Sequence, residues 1–427
     1  MTSAAAFEQF GGEQPQEGPW SDLAAPPIRP VHAAIARRLF MRAIVHLPVR
    51  VELPSGKVVG RPIVGRRIVG GGDADAPLMR IHDDRAFFYR LGASGLVGFG
   101  EAFMAGDWDA DDPAGVLAPF AARLAVLVPA WMQRLRGFYV AYQPWREQNT
   151  LVGARRNIER HYDLSNDLFA LFLDPSMTYS SGWFEPGDTL EQAQMRKVDR
   201  LLDAVGAGVG TRLLEVGTGW GALAVRAARR GATVTTLTLS REQQALAQRR
   251  AGDAGVAERI DVQLRDYRDV EGTYDAIVSV EMVEAVGARF WPAYFATLDR
   301  SLVSGGRVGI QAIVLAHDRM IATRYQYTWM HKYIFPGGAL PSVRAIEDTL
   351  AAHTRLRVVD HAAFGASYAS TLRCWRETFD VNAEAVERLG FDQAFRRMWD
   401  FYLAYCEAGF DTGYLDVVQL VLAPIGD

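Results

Sequence analysis

LLEVGTGWGALAV, residues 213–225, sets the fold class, because an apolar run ends in an acid and leads into a glycine-rich loop. Gly217, Gly219 and Gly221 carry no Cβ, so the backbone of this loop can approach a ligand closely. A loop of this kind between a strand and a helix is typical of ligand sites on doubly wound sheets. The stretch therefore predicts a strand, a ligand-binding loop and a helix.

Apolar, β-branched runs recur along the rest of the chain and alternate with helical stretches such as EQQALAQRRAGDAG, residues 242–255. The strand-like runs are RLLEVG, ATVTTLTLS, IDVQLRD, YDAIVSVE, GRVGIQAIV and RLRVVDHAAF. Strands that alternate with helices predict an α/β fold with a parallel, doubly wound sheet.

The first third of the chain has a different pattern. Residues 1–28 are rich in glycine, proline and alanine and predict a disordered leader with no signal peptide. Residues 29–145 combine helical stretches with short strand-like pieces, VRVELPSGKVVG and PLMRIHD, and predict a smaller α+β domain. A Pro-Trp segment near residues 144–150 marks a linker, so that the catalytic domain is predicted to span 146–427.

Composition excludes several classes of protein. The net charge is −4, so no global basic field favours nucleic acid. Two cysteines form neither a disulfide framework nor a zinc site, which favours a reducing cytoplasm. The most apolar window, residues 116–132, is too short and too broken by proline and arginine to span a bilayer. No metal site is expected, since the histidines lack ligand spacing; they include His161, His317, His331, His353 and His361.

Residues 29–50 contain five arginines and no acid. Arg37, Arg38 and Arg42 can share one face of a helix, with apolar Ile35 and Leu39 behind it. Such a face is either a solvated surface or a patch for anionic lipid head groups.

Three features of the glycine loop separate S-adenosylmethionine from a dinucleotide. Glu215 at the strand end suits a cationic amino-acid ligand and would repel a pyrophosphate, and the loop contains no basic residue. The next strand ends in Thr238-Leu239-Ser240 and lacks the acid that a dinucleotide ribose contacts. These features favour S-adenosylmethionine. Asp266 and Tyr267 follow a third strand and could hold an adenine, although Tyr267 could equally be a core residue.

Beyond the loop, the chain resembles the cyclopropane-fatty-acyl-phospholipid synthases over about residues 30–420. The length and the N-terminal region look most like the long actinobacterial members, which include enzymes that make 10-methylene and then 10-methyl branched fatty acids. The segments that carry the resemblance are GFGEAFMAGDWD (98–109), HYDLSNDLFALFLDPSMTYSSGWF (161–184), LLEVGTGWG (213–221), TLSREQQALAQ (238–248), VSVEMVEAVG (278–287), KYIFPGGALPS (332–342) and YLAYCEAGFDTGYLDVVQ (402–419).

The resemblance implies a Rossmann-like class I methyltransferase domain that uses S-adenosylmethionine. With the residues argued above, the predicted cofactor-binding set is Tyr179, Ser180, Glu215, Gly217, Thr218, Gly219, Trp220, Gly221, Thr238, Leu239, Ser240, Gln243, Asp266, Tyr267 and Arg268.

The family uses a bicarbonate ion as base, and the resemblance places its binding residues on Glu284, the backbone of Ile313, and Tyr368. Ser181 stands where the family has a cysteine, and Gln311 where it has a histidine. Both side chains can donate hydrogen bonds to an anion. We nevertheless expect that the base has shifted, with Glu284 either holding bicarbonate or acting directly with Tyr368, and that a methylene product is favoured over a cyclopropane.

Cys406 matches a cysteine often marked as catalytic in the family, but its apolar and aromatic neighbours favour an inert, packed thiol. Residues 332–338 are interpreted either as a lid over an acyl channel or as a rigid turn. We expect two or three aromatic residues to line a carbocation. The candidates are Tyr162, Tyr179, Trp183, Phe184, Trp329, Tyr333 and Phe335.

The sequence thus predicts an enzyme that methylates the double bond of an unsaturated acyl chain in a phospholipid. A cytoplasmic protein bound peripherally to the inner face of the membrane is expected, because a long acyl chain is insoluble. A homodimer and a partner reductase are further expectations. The alternatives are an O- or N-methyltransferase of a small hydrophobic molecule, a non-catalytic lipid-binding module, and a nicotinamide oxidoreductase.

Overall fold

The computed structural model describes residues 23, 25–60, 76–127 and 165–425. Most of the predicted leader, the predicted linker and domain boundary, and the candidates Tyr162 and His161 lie outside these ranges. None of the helices in the described ranges is long and apolar enough to cross a membrane.

A seven-stranded sheet with the order β10-β11-β9-β8-β5-β6-β7 forms the centre of the C-terminal part. The strands are β5 (Arg212–Val216), β6 (Thr233–Thr238), β7 (Ile260–Leu264), β8 (Tyr274–Val280), β9 (Leu302–Val314), β10 (Leu356–Ala363) and β11 (Asp416–Pro424). All six strand-like runs of the sequence are confirmed as strands. Five strands, from β7 to β9 across the sheet, are parallel, whereas β11 is antiparallel to both of its neighbours. The sheet is therefore mixed, and β11 was not predicted.

Helices cover both faces of this sheet. The helices of this part of the chain are α5 (Asn166–Ala170), α6 (Leu190–Ala204), α7 (Ala222–Arg229), α8 (Arg241–Asp253), α9 (Val283–Val286), α10 (Trp291–Arg300), α11 (His317–Thr323), α12 (Trp329–Tyr333), α13 (Val343–His353), α14 (Gly365–Val381), α15 (Ala383–Arg388) and α16 (Gln393–Asp411). One face packs against α6 and α7 through side chains such as Leu201 and Ala227. The other packs against α10 and α13 through Phe295 and Ile346. Burying both faces explains the long apolar strands.

The N-terminal region has its own four-stranded sheet, with the order β2-β1-β3-β4. Its elements are α1 (Pro30–Ile44), β1 (Arg50–Glu52), β2 (Val58–Val59), β3 (Leu78–Ile81), α2 (Asp84–Ser94), α3 (Leu96–Ala105), β4 (Trp108–Ala110) and α4 (Pro113–Leu127). The mixture of short strands and helices agrees with the predicted α+β pattern.

This region shares one hydrophobic core with the helices of the C-terminal part. The ring of Phe401 on α16 lies 5.4 Å from that of Phe103 and 6.4 Å from that of Trp108. Arg397 donates from Nη2 to the carbonyl oxygen of Trp108 at 2.9 Å. The N-terminal elements are therefore packed along α16, so that a ligand cavity can be built from both parts.

The arginine-rich helix α1 differs from the sequence prediction in its orientation. Ile35 does not lie behind the arginines, because its side chain is 55% exposed. Ala33, Phe40 and Ile44 make the buried face instead. The periodicity of a helix places Ile35 on the same outer stripe as Val31, Arg38, Arg42 and Val45, all of which are exposed.

Candidate active site

The glycine loop joins β5 to α7 and adopts backbone conformations that favour glycine. The φ angles of Gly217, Gly219 and Gly221 are +100°, +50° and +88°. A Cβ on Gly221 would lie 3.0 Å from the Cβ of Ala247, and one on Gly217 would lie 2.7 Å from the sulfur of Met282. The loop thus leaves its backbone bare at the carboxyl end of β5, where doubly wound folds bind their ligands.

Glu215, the last acid before the loop, is almost completely buried and faces a large cavity. The hydroxyl of Thr236 donates to its Oε2 at 2.6 Å. Burial raises the pKa of Glu215 to about 8. A buried carboxyl with one neutral donor and no cationic partner among the described residues suits a ligand that brings a positive charge.

Two further segments close around the loop. Trp220 donates from Nε1 to Oδ1 of Asn166 at 2.7 Å, which ties the loop to the N-terminus of α5. Ser240 caps α8, its side chain accepting from the backbone N–H of Gln243, while Thr238 donates to Oε1 of Gln243 at 2.8 Å. The strand end at residues 238–243 is therefore held rigidly beside the loop.

Asp266 and Arg268 pair with each other, with Arg268 Nη2 2.7 Å from Asp266 Oδ2, and neither lines the cavity. Tyr267 does line the cavity. Its hydroxyl is buried and has no hydrogen-bond partner in the described parts of the chain. Of these three predicted residues, Tyr267 alone thus offers the cavity a polar group.

One cavity of about 1120 Å³ connects these elements with the N-terminal region. At the N-terminal end it is lined by Phe40, Leu91, Leu96, Phe99 and Phe120. The site residues predicted from the sequence that line this cavity are Tyr179, Ser180, Glu215, Gly217, Thr218, Gly219, Trp220, Thr238, Leu239, Gln243, Tyr267, Glu284, Ile313, Tyr368 and Cys406. The predicted residues that do not line it are Ser181, Gly221, Ser240, Asp266, Arg268 and Gln311. The volume lies just above the usual range of about 300–1,000 Å³ for ligand pockets, which suits a site that holds more than one molecule.

Glu281 was missed by the sequence analysis, although it follows β8 directly and lines the cavity. Three predicted base-site residues converge on its carboxylate. Tyr368 donates from its hydroxyl to Oε2 at 2.7 Å; Gln311 Nε2 and the backbone N–H of Ser181 donate to Oε1 at 2.8 and 3.0 Å. The Ser181 hydroxyl donates to the carbonyl oxygen of Gly182 instead. The signal in the sequence was the first of the two acids in VSVEMVEAVG, residues 278–287.

Glu284, the predicted base, has different partners. Its Oε1 accepts from the backbone N–H of Ile313, and its buried Oε2 has no partner within the described ranges. Burial, with a contribution from the charge of Glu281, raises the pKa of Glu284 to about 8. Tyr368 therefore acts on Glu281 and not, as the sequence suggested, on Glu284.

Lys197 is a second residue that the sequence analysis did not single out. It lies on α6, is almost completely buried, and donates to the hydroxyl of Ser180 at 2.6 Å. Burial lowers the pKa of Lys197 to about 8, while the charges of Glu281 and Asp174 oppose this shift. A buried cation next to the carboxylate cluster keeps part of the cavity polar.

Aromatic residues line much of the remaining cavity. Of the seven candidates for a cation-stabilising wall, Tyr179 and Phe335 contact the cavity, whereas Trp183, Phe184, Trp329 and Tyr333 do not. Tyr402 and Phe410 are additional lining residues. The hydroxyls of Tyr179 and Tyr402 are 2.8 Å apart, which fixes both rings.

Cys406 also lines the cavity. Burial raises the pKa of its thiol to about 12. A thiol with this pKa is almost entirely protonated near neutral pH, which agrees with the interpretation of an unreactive side chain.

The turn at residues 332–338 is anchored to the N-terminal region. Lys332 Nζ and the hydroxyl of Tyr333 both donate to Oε1 of the buried Glu101 on α3, at 2.7 and 2.9 Å. His331 Nε2 lies 3.1 Å from the carbonyl oxygen of Gly338 and holds the other end of the turn. These contacts support the interpretation of a rigid turn in the cavity wall.

Comparison with known proteins gives a consistent family. Residues 150–420 match the family model of mycolic acid cyclopropane synthetase. The chain is 48% identical to tuberculostearic acid methyltransferase UfaA1 of Mycobacterium tuberculosis over 93% of this chain and 92% of that protein. It is 33% identical to the cyclopropane-fatty-acyl-phospholipid synthase of Escherichia coli K12 over 79% and 85% of the two chains.

A similar solved structure is that of the mycolic acid cyclopropane synthase CmaA1 complexed with SAH and CTAB. It is 32% identical, has a TM-score of 0.58, and is matched over 63% of this chain and 97% of its own. Coclaurine N-methyltransferase, at 16% identity and a TM-score of 0.57, shares the fold alone.

Proposed function

The chain belongs to the mycolic acid cyclopropane synthetase family and is an S-adenosylmethionine-dependent methyltransferase, and we propose that it methylates a double bond in the unsaturated acyl chain of a phospholipid. The observation that carries this proposal is the single cavity that joins the glycine loop to an apolar end in the N-terminal region. Such a cavity suits a polar methyl donor at one end and a long hydrocarbon chain at the other. An O- or N-methyltransferase of a small molecule would have no use for the apolar extension.

The donor would be held by the bare backbone at Gly217 and Gly219, the carboxyl of Glu215 and the hydroxyl of Tyr267. When bound, S-adenosylmethionine supplies an electrophilic methyl group. An alkene needs no deprotonation to react, so the residues of the chain must align the double bond and exclude water. The rings of Tyr179 and Phe335 would stabilise the resulting carbocation by about 1–2 kcal/mol each when desolvated.

The bicarbonate that the resemblance implies does not fit this site. Ser181, Gln311 and Tyr368, three of its expected partners, all donate to the carboxylate of Glu281. A second anion on the same donors would place two negative charges together in a buried site, which is strongly unfavourable. No step of the reaction is therefore derived through bicarbonate.

We favour a methylene-branched product, with the cyclopropane as the alternative. The relative UfaA1 is named for tuberculostearic acid, a methyl-branched fatty acid, and is similar over nearly the whole chain. A methylene branch would need a reductase to become a methyl branch, which is the reason for proposing such a partner.

Mass spectrometry of phospholipids from a host rich in oleate and cis-vaccenate would test the product. The expected lipid gains one CH2 unit and still takes up hydrogen on catalytic reduction. A product of the same mass that resists reduction is a ring and would contradict the methylene proposal. Lipids of unchanged mass would contradict methylation altogether.

We further propose that the outer stripe of α1 rests on an anionic bilayer at the inner face of the membrane. Val31, Ile35 and Val45 share this stripe with Arg38 and Arg42. Apolar side chains beside arginines are typical of helices that lie in the lipid interface. Phe40 of the same helix lines the cavity, so a docked helix would bring lipid close to the apolar end.

Co-sedimentation with vesicles of anionic phospholipid measures this contact. Ile35→Glu should lower the bound fraction, because it places a negative charge at the lipid surface. Val381→Glu, at an exposed position at the end of α14, is the matched control and should bind like the wild type. Equal binding of the two variants would contradict the docking face.

Homodimerisation stays a prediction, to be measured by light scattering of the protein as it elutes from a size-exclusion column.

A further inference from the structure

Glu281 occupies a position that is built around a carboxylate. Its two oxygens receive three hydrogen bonds, from Tyr368, Gln311 and the backbone of Ser181. Gln311 is itself oriented, since Gln419 Nε2 donates to its Oε1 at 3.1 Å. The side chain nevertheless lines the cavity, so a bound acyl chain could reach it.

The backbone at this residue is unusual. Only two non-glycine residues in the described ranges have a positive φ, Met177 and Glu281, and both line the cavity. The φ of Glu281 is +54°, a left-handed conformation that is unfavourable for any residue with a side chain. Strain of this kind persists where the surrounding structure fixes a functional side chain.

We propose that Glu281 is the proton acceptor of the reaction, a carboxylate built into the protein in place of an external anion. The inference rests on the proposed methylation of an alkene and assigns its base. It moves this role away from Glu284, which is three residues further on and makes different contacts.

The electrostatics of the two acids support this division. Burial raises the pKa of both carboxyls, but Glu281 is opposed by the charge of Lys197 and by its three donors. Glu284 has a pKa of about 8 and is raised further by the charge of Glu281. The charge of Lys197 and the three donors therefore favour the ionised form of Glu281, whereas the charge of Glu281 favours the protonated form of Glu284. Two carboxyls with opposite preferences commonly divide the roles of base and neutral group.

The proposed step conserves atoms and electrons. The C–S bond of the donor breaks and leaves its electron pair on sulfur, while the alkene π pair forms the new C–C bond. The positive charge appears on the other alkene carbon. A hydride shift moves it to the methylated carbon, and Glu281 then takes a proton from the transferred methyl group. The C–H pair becomes the methylene double bond, and Glu281 becomes a carboxylic acid.

The test compares Glu281→Gln with Glu284→Gln in the full-length enzyme, using vesicles of oleoyl phospholipid and labelled S-adenosylmethionine. Glu281→Gln keeps the size of the side chain but removes the base, so turnover should fall about 100- to 10,000-fold. Glu284→Gln replaces a group that is already neutral and should lower turnover by less than about tenfold. The affinity for S-adenosylmethionine, measured by calorimetry, should be similar in both variants.

Chemical rescue provides a second, independent readout. Glu281→Gly relieves the positive φ and leaves an opening lined by the three donors. Formate or bicarbonate added to this variant should restore part of the turnover, because a small carboxylate can occupy the opening. The wild type should not respond to either anion. If Glu281→Gln loses turnover but Glu281→Gly is not rescued, the loss still supports Glu281 as the base. This holds because a folded Glu281→Gln variant with unchanged affinity for S-adenosylmethionine lacks only the proton acceptor.

Two results would overturn the inference while leaving methylation intact. They are a Glu281→Gln variant that turns over within about threefold of the wild type, and a wild type that loses activity in bicarbonate-depleted buffer and regains it on addition. A wild type that never transfers methyl to carbon would contradict the proposed function as well.

Discussion

Binding of S-adenosylmethionine should strengthen as the pH rises from 6 to 8, because Glu215 must ionise to meet a cationic ligand. Burial raises the pKa of Glu215 to about 8 in the free protein. With that pKa, about 1% of the protein has an ionised Glu215 at pH 6 and about half at pH 8. Through Glu215 alone, the affinity should therefore rise about 50-fold over this range, which corresponds to about 2.3 kcal/mol.

The sign follows from proton linkage. A group with a raised pKa favours the protonated free state, so a ligand that needs the ionised form must displace a proton below pH 8. The α-amino group of the donor has a pKa near 8, and its loss of charge should halt the rise above that pH. Calorimetry in buffers of different ionisation enthalpy should show about one proton released per ligand at pH 7.

Glu215→Gln is the matched control, since the amide cannot ionise. Glu284 and Lys197 also titrate near pH 8, and their contribution remains in this variant. The rise in affinity for S-adenosylmethionine between pH 6 and pH 8 should be at least tenfold smaller in Glu215→Gln than in the wild type. Parallel pH profiles for the two proteins would refute the role of Glu215 in binding the cation.

Three other predictions follow from the packing of the site. Gly221→Ala should lower the free energy of unfolding in urea by about 1–3 kcal/mol, because its φ is positive and its Cβ would meet Ala247; a loss below 0.5 kcal/mol would contradict this. Cys406 should resist iodoacetamide at pH 8, since burial raises its pKa to about 12; rapid alkylation seen by peptide mass spectrometry would show an accessible thiolate. Lys332→Met should lower the free energy of unfolding by about 1–3 kcal/mol by leaving the buried carboxylate of Glu101 with one donor. Adding Glu101→Gln should recover part of that loss, and a double variant no more stable than the single one would argue against the ion pair.

Much of the fold followed from local patterns in the sequence. Residues 213–216 and 233–240 form short runs dominated by apolar or β-branched residues, and the three glycines after the first run mark the end of its strand. β11, residues 416–424, was not predicted, although its first four residues belong to the motif at 402–419. Its antiparallel position between β9 and β10 could not be predicted either, since strand order depends on contacts distant in sequence.

The sequence alone predicted the glycine loop, the choice of S-adenosylmethionine over a dinucleotide, and the positions of Ser181, Gln311 and Tyr368. Each of these rests on neighbouring residues or on an ordered set of motifs. The sequence did not predict that Glu281 is the shared partner of those three residues. Ser181 and Tyr368 are 100 and 87 residues away from Glu281, and only the packing of α14 and of the segment before α6 against the end of β8 brings them to its carboxylate. Backbone conformation and periodicity are encoded locally, whereas the ionisation of a buried acid depends on the charges and donors that the folded chain gathers around it.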